Sequence, residues 1–234
     1  MSADHNKSIW RTVLGDNPGL AWLFFALIGF FVAGPLVSGS TAGTLLLDVL
    51  LFGVLIFSAY AVSKNRKVLI IAILLALPTT AFWVGGRVED SILLAFVGLV
   101  FSAAFFLYIV GVLLRGVLKS EEVDADTLYG AVTAYLLIGV TWAFFYAMVY
   151  MIVPDAFKFG PLTTYVEADP MFGDLRFFIY YSLVTLSTLG YGDITPLAPM
   201  ARTLASLEAV LGQLYIAVAV AALVGTHIAQ RQRS

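Results

Sequence analysis

The segment Thr-Leu-Ser-Thr-Leu-Gly-Tyr-Gly-Asp-Ile-Thr-Pro at residues 185–196 decides the fold of this chain. It places a glycine-rich loop between two hydrophobic stretches, at membrane depth. In hydrocarbon every backbone N–H and C=O needs a partner, so extended backbone is stable there only where it lines a polar path. Gly190 and Gly192 can adopt positive φ without steric cost. The residues around them can then turn successive carbonyl oxygens toward one axis, where rings of carbonyls replace the hydration shell of a cation.

The composition is that of a membrane protein. Of the 234 residues, 61% are hydrophobic and only 12% are charged, whereas soluble domains are about half apolar and about a quarter charged. The net charge is −2 and there is no basic tract, which argues against a nucleic-acid partner. Because the chain has no cysteine, disulfides and thiolate metal sites are excluded.

Six stretches have the length of about 20 apolar residues that is needed to cross a bilayer. We predict spans at 18–37, 41–62, 67–86, 91–117, 128–153 and 198–228. A seventh apolar stretch, 174–187, is too short to span and leads directly into the glycine loop, so we expect a re-entrant helix there. The predicted fold class is an all-α integral membrane protein. The first span is long enough to be a retained helix rather than a cleaved signal peptide.

The basic residues predict the orientation in the membrane. With both termini in the cytoplasm, nine basic residues lie inside and four outside, in line with the positive-inside rule. The inner residues are Lys7, Arg11, Lys64, Arg66, Lys67, Arg115, Lys119, Arg231 and Arg233, and the outer ones are Arg87, Lys158, Arg176 and Arg202. We therefore expect a multi-pass protein of the cell membrane with cytoplasmic N- and C-termini, and with the mouth of the glycine loop outside.

Thr-Leu-Gly-Tyr-Gly-Asp at residues 188–193 resembles the signature of the tetrameric potassium channels, whose usual form has Val where this chain has Leu189. The strong similarity covers 174–228, whereas residues 1–118 resemble the family only in hydropathy. The chain is thus similar to bacterial six-transmembrane tetrameric potassium channels. The resemblance implies a homotetramer that binds K⁺ through the carbonyls of Thr188, Leu189, Gly190 and Tyr191 and through the Thr188 hydroxyl.

The same resemblance assigns roles around the filter. Ser187 and Thr188 end the re-entrant helix and offer hydroxyls where ions enter. Tyr180 and Tyr181 match the aromatic cuff that supports the filter. Asp193 matches the acidic residue that hydrogen-bonds behind the filter and concentrates cations at its mouth. Gly212 matches the gating hinge of the pore-lining helix, although close helix packing is an alternative role for this glycine.

The family resemblance also suggests a division into domains. The charged segment at 119–127 is the clearest boundary between them. We predict a cytoplasmic N-terminus at 1–17, a four-helix voltage-sensor-like domain at 18–118, a cytoplasmic linker at 119–127, a pore domain at 128–228 and a cytoplasmic tail at 229–234. Within the pore domain the predicted parts are an outer helix, an extracellular loop from Val153 to Asp174, a pore helix at 174–187, a filter at 188–193 and an inner helix at 198–228.

One departure from the voltage-gated relatives concerns the fourth span. Those relatives carry arginines at every third position there, whereas residues 91–114 contain no basic residue and Arg115 and Lys119 lie only at the inner end. Moving one charge through the membrane potential contributes about 2.3 kcal/mol per 100 mV, so steep voltage sensing needs several such charges. We expect little sensor-driven voltage dependence.

Three ionisable residues are modulatory candidates with alternatives left open. Asp48, inside the second span, is either a functional group or part of a buried structural pair. Glu208, one turn before Gly212, either faces the cavity or lies behind the re-entrant helix. His227, near the inner mouth, is either a pH-sensitive group or an interfacial residue.

The sequence predicts passive, potassium-selective conduction and no enzyme activity, because no cluster of catalytic polar groups appears. No cofactor is expected besides K⁺ ions in the filter, and the expected partners are further copies of the chain and membrane lipids. Two functional alternatives are a non-selective cation channel of the same architecture and, from another class, a potassium transporter subunit. A third is a structural subunit with a relic filter. Tyr191 argues against the first, and the single loop per chain argues against the second.

Overall fold

The computed structural model describes residues 18–36, 41–61, 66–89, 91–120, 122–153, 155–160 and 175–233. The helices are α1 (Pro18–Leu36), α2 (Thr41–Ala61), α3 (Arg66–Glu89), α4 (Ile92–Leu118), α5 (Ala125–Ile152), α6 (Leu175–Leu186) and α7 (Pro199–Arg233). Two strands, β1 (Phe157–Phe159) and β2 (Ile194–Pro196), complete the described elements. Within the described residues, each of the predicted apolar stretches is therefore helical over most of its length, and the two short strands are an addition that the sequence did not predict.

Four of these helices are long and apolar enough to cross a membrane: α3, α4, α5 and α7. Shorter apolar helical stretches among the described residues are Gly19–Ala33, Val49–Ala61 and Leu175–Leu186. These helices support a multi-pass membrane protein. The last stretch, α6, has 12 residues, which at about 1.5 Å per residue is too short to cross the hydrocarbon core.

The chain divides into two compact units, and α3, α4, α5 and α7 contribute to both. The first unit comprises Met1–Ala72, Ile109–Tyr135 and Ala217–Ser234. Within it, α1 passes so close to the end of α2 that a Cβ atom at Gly19 would lie 3.0 Å from the Cα atom of Ala61. Asp124 caps the N-terminus of α5, because its Oδ1 accepts a hydrogen bond of 2.8 Å from the backbone N–H of Thr127.

The second unit comprises Ile73–Tyr108 and Leu136–Ile216 and contains the glycine loop. Its core is aromatic. Phe106 of α4 stacks on Phe144 of α5 with ring centroids 5.7 Å apart, and Phe157 of β1 contacts Phe178 of α6 at 5.2 Å. Such ring contacts hold α6 against its neighbours, because stacked and edge-to-face aromatic pairs attract each other.

The strands β1 and β2 form a two-stranded antiparallel sheet. Phe157 pairs with Pro196, Lys158 with Thr195 and Phe159 with Ile194. The chain segment that follows α5 is thus hydrogen-bonded to the segment that leaves the glycine loop. Part of the region predicted as an extracellular loop is therefore ordered by the sheet, while residues 161–174 of that region lie outside the described residues.

Candidate functional site

The site is built on α6, whose C-terminus leads into the glycine loop. One face of this helix is buried and consists of Leu175, Phe178, Ile179, Tyr181, Ser182, Val184 and Leu186. The helix ends at Leu186, and the hydroxyl of the next residue, Ser187, donates a hydrogen bond of 2.6 Å to the carbonyl of Leu183. The partial negative charge of a helix C-terminus favours a cation in front of it.

The loop backbone alternates between positive and negative φ. Thr188 has φ of 59°, Gly190 has φ of 59° and Gly192 has φ of 78°, whereas the intervening Leu189 and Tyr191 are outside this left-handed region. Alternation of left-handed and right-handed residues aligns the backbone N–H groups along one side of a chain and so the carbonyls along the other. Glycine tolerates this conformation, but Thr188 is strained in it by about 1–2 kcal/mol.

The N–H groups of the loop turn back onto α6. The N–H of Thr188 donates to the carbonyl of Thr185 at 2.9 Å, and the N–H of Leu189 donates to the carbonyl of Val184 at 2.9 Å. Within the described residues, no group donates to the carbonyl oxygens of residues 188–191. The loop therefore presents a row of carbonyl acceptors that have no donor among the described residues.

Asp193 is anchored at the far end of the loop by three hydrogen bonds. Its Oδ2 accepts from the Tyr180 hydroxyl at 2.7 Å, its Oδ1 accepts from the N–H of Ile194 at 3.0 Å, and its carbonyl accepts from the N–H of Gly160 at 2.7 Å. Partial burial and the bond to Asp193 raise the pKa of the Tyr180 phenol to about 12, so this hydroxyl keeps its proton and remains a donor at neutral pH. Asp193 is therefore hydrogen-bonded to α6, while its role at the mouth of a filter stays a prediction.

The two tyrosines predicted to support the filter have different surroundings. Tyr180 is 39% exposed and contacts Asp193 directly. Tyr181 is buried, and its ring packs against Tyr146 of α5 with centroids 4.9 Å apart. Tyr181 thus contacts α5 in the single chain, and its role in supporting the filter stays a prediction.

The inner helix α7 contacts the base of the loop at two neighbouring positions. Gly212 is buried, and a Cβ atom there would lie 2.1 Å from the carbonyl oxygen of Leu186. Gln213 donates a hydrogen bond of 3.2 Å from Nε2 to Oγ1 of Thr188. The packing role considered for Gly212 is therefore present in the structure, while its role as a hinge stays a prediction. Gln213 was missed, because a single glutamine in an apolar helix carries no motif.

The three modulatory candidates are placed differently. Glu208 is fully buried and lies behind α6, where its carboxyl contacts Ser182 and Tyr146. This decides between the two positions considered for it. His227 is exposed on α7. The side chain of Asp48 lies outside the described residues, so its role stays a prediction.

Comparisons with known proteins agree with this geometry. Residues 126–227 match the family model described as an ion channel. Over 108 residues the chain is 32% identical to the inward rectifier potassium channel Kirbac3.1 of Paramagnetospirillum magnetotacticum. That alignment covers 45% of this chain and 33% of the relative, so the chain spans about a third of the curated protein it matches. No solved structure matches the chain.

The matched region contains α5, α6, the glycine loop and most of α7, which are the elements that build the site. An ion-channel domain is therefore indicated for this part of the chain. Both matches are to channel proteins rather than to enzymes. Within the described residues, no group of three or more His, Cys, Asp or Glu side chains is placed to hold a metal ion.

Proposed function

We propose that this protein is a potassium-selective channel that conducts K⁺ passively across the cell membrane. The observation that carries the proposal is the alternating backbone of Thr188, Gly190 and Gly192, whose carbonyl oxygens lack donors among the described residues. Four such segments around one axis would supply successive rings of oxygens, and each ring would replace part of the hydration shell of the ion. Repulsion between ions in neighbouring rings would then offset tight binding and allow rapid release.

The proposed assembly is a homotetramer, because one chain supplies one wall of the path. Apolar and aromatic side chains that are exposed in the single chain support a homotetramer. Leu189 and Tyr191 of the loop are 59% and 67% exposed in the single chain. The apolar side chains of α7 are also largely exposed; among them are Leu207, Val210, Leu211, Leu214, Val218, Val220 and Val224. In an assembly, neighbouring copies would cover Tyr191 and part of this helix surface, and lipid would cover the rest.

The proposed chain crosses the membrane six times, with both termini in the cytoplasm and with the end of the loop at Asp193 facing outward. The bounds of α1 and α2 and the excess of inner basic residues support this arrangement. We also propose that voltage has little direct effect, because α4 has no basic residue before Arg115. Conductance–voltage curves of the wild type and of Arg115→Gln should both be shallow, and a steep curve abolished by that substitution would contradict this part of the proposal.

The test is K⁺ efflux from liposomes that contain the purified protein. We expect K⁺ efflux that external barium blocks, and we expect no ion efflux when sodium replaces potassium on both sides.

Gly111 offers a matched control for substitutions in the loop, because it lies in α4 with no neighbouring atom within 4 Å of the position that a Cβ atom would occupy there. Gly190→Ala should abolish efflux while Gly111→Ala retains it. Equal sodium and potassium flux would favour the non-selective channel, saturable coupled flux would favour a transporter, and absence of flux would favour a structural subunit.

A further inference from the structure

A buried polar cluster lies behind the glycine loop and joins three helices. It consists of Glu208 of α7, Tyr146 of α5 and Ser182 of α6, and all three residues have 0% exposure. An acidic side chain is almost never fully buried unless it is paired, so its presence here requires an explanation. Ion conduction through the loop does not itself use any of these side chains.

The hydrogen-bond partners of the Glu208 carboxyl among the described residues are two hydroxyl groups. The Tyr146 hydroxyl donates to Oε2, and Oγ of Ser182 is hydrogen-bonded to Oε1. Oγ of Ser182 also lies 2.7 Å from the carbonyl oxygen of Gly139 in α5. The three helices are thus connected through a continuous chain of oxygen atoms.

The number of hydrogens in this chain determines the protonation state of Glu208. Two oxygen atoms at hydrogen-bond distance need a hydrogen between them. The contact between Ser182 and Gly139 needs one hydrogen, and the contact between Ser182 and Glu208 needs another. Ser182 carries one hydroxyl hydrogen and the Gly139 carbonyl carries none. A protonated Glu208 supplies the second hydrogen: it donates to Ser182, and Ser182 then donates to Gly139.

The surroundings of Glu208 also favour the neutral form. No described cation is paired with its carboxyl, and its hydrogen-bond partners among the described residues are the hydroxyls of Tyr146 and Ser182. An ionised carboxylate without a cation in an apolar interior is strongly disfavoured, so such a group takes up a proton instead. A protonated carboxyl satisfies every contact in the cluster.

The cluster is placed to fix the end of α6. Ser182 lies two residues before Val184, whose carbonyl accepts the loop N–H of Leu189. The neighbouring contact is tight, because a Cβ atom at Gly139 would lie 2.9 Å from Cδ2 of Leu183. A displacement of α6 relative to α5 and α7 would therefore move the carbonyl that holds the loop.

We propose that Glu208 is an uncharged carboxylic acid in the folded channel and that it acts as a positioning residue, joining α5, α6 and α7 so that the filter keeps its conducting width. The consequence for ion selectivity depends on the proposed function of the loop. The protonation state does not depend on it, because the contacts exist in the single chain.

Glu208→Gln tests this proposal, because a glutamine reproduces the protonated acid. Its amide N–H can donate to Ser182, and its amide oxygen can accept from Tyr146, without any charge. We expect Glu208→Gln to retain the K⁺ flux and the ratio of potassium to sodium permeability within about twofold. Glu208→Ala leaves two buried hydroxyls with a lost partner, so we expect this ratio to fall about tenfold. Glu122→Ala, at an exposed glutamate, is the matched control and should have no effect.

Infrared spectroscopy measures the protonation state directly. The spectrum of Glu208→Gln should lack a carbonyl band of a protonated carboxylic acid that the wild-type spectrum contains. If the variant lacks a carboxylate band instead, or if Glu208→Gln impairs selectivity as strongly as Glu208→Ala, the proposal is wrong. Unchanged selectivity in Glu208→Ala would equally overturn the positioning role.

Two further variants keep the test decisive if Glu208→Ala does not assemble. Tyr146→Phe and Ser182→Ala each remove one hydroxyl, and both should lower the permeability ratio, with size-exclusion chromatography as the check on assembly. Normal selectivity in both variants would overturn the positioning role. If the wild type conducts no K⁺, the proposed function fails, and the infrared measurement still decides the protonation state.

Discussion

The carbonyl oxygen of Leu186 lies 2.1 Å from the position that a Cβ atom would occupy at Gly212. Non-bonded heavy atoms are essentially never found closer than 3.0 Å to a real Cβ atom. The inner helix can therefore pass the end of α6 at this distance only because residue 212 is a glycine. The carbonyl oxygen of Leu186 belongs to the backbone, and a Cβ atom at residue 212 would be attached directly to the backbone. A side-chain rotation therefore cannot relieve the clash that a larger residue would cause.

The first prediction follows from this contact. Gly212→Ala should push α7 away from α6 and lower the free energy of unfolding by about 1–3 kcal/mol, the usual cost of overpacking. Thermal unfolding of the purified protein measures this change, and Gly111→Ala is the control. If Gly212 acted solely as a hinge, alanine would alter gating and leave the unfolding temperature unchanged or slightly raised, since alanine is the better helix former.

The second prediction concerns the left-handed backbone of the loop. Gly190 has φ of 59°, which costs a residue with a side chain about 1–2 kcal/mol. Gly190→Ala should therefore favour a different loop conformation in every copy of the chain and remove K⁺ conduction. The helices should be unaffected, so circular dichroism should match the wild type while liposome efflux is lost. Normal efflux in this variant would contradict the importance of the alternating backbone.

The helices could be predicted from the sequence because each is a long apolar run, and the loop because its glycines and its Asp193 form a compact motif. The predicted span at 67–86 and the observed helix Arg66–Glu89 show how closely the apolar run matches the element. Helix ends were less accurate: α5 begins at Ala125, inside the predicted linker, because Asp124 caps it. Local patterns thus predict the type of each element but not the residues at which it begins and ends.

The partners of buried polar groups could not be predicted in the same way. Glu208 bonds to Tyr146, 62 positions away, and to Ser182, 26 positions away. The strand pairing of Phe159 with Ile194 is equally remote, and three-residue strands have no periodicity of their own. Such contacts depend on how helices are placed in three dimensions, which a single sequence does not encode locally.

The third prediction concerns the contact between Gln213 and Thr188. The amide of Gln213 donates to the Thr188 hydroxyl at 3.2 Å and holds the strained residue at the base of the loop. Gln213→Leu and Thr188→Val should each reduce K⁺ flux, and the double variant should be little worse than Thr188→Val alone, which also removes a proposed K⁺ ligand. A double-mutant cycle on the flux should give a coupling of about 0.5–1.5 kcal/mol, the net contribution of one hydrogen bond. Strictly additive effects would show that the two side chains act independently.

The fourth prediction concerns the other end of the loop, where the N–H of Gly160 donates to the carbonyl of Asp193 at 2.7 Å. A Cβ atom at Gly160 would lie 2.9 Å from that same carbonyl oxygen. Gly160→Ala should therefore separate β1 from β2 and loosen Asp193, whose side chain is also held by Tyr180.

The expected result is a conducting state that is lost more rapidly during sustained K⁺ flux, since one of the three bonds that fix Asp193 is weakened. Recordings from single channels in planar bilayers measure the duration of the open periods. Lys158→Ala provides the control on the same strand, because Lys158 is exposed and its substitution leaves the backbone pairing with Thr195 in place. Open periods of equal duration in Gly160→Ala and Lys158→Ala would mean that the strand does not stabilise the outer end of the filter.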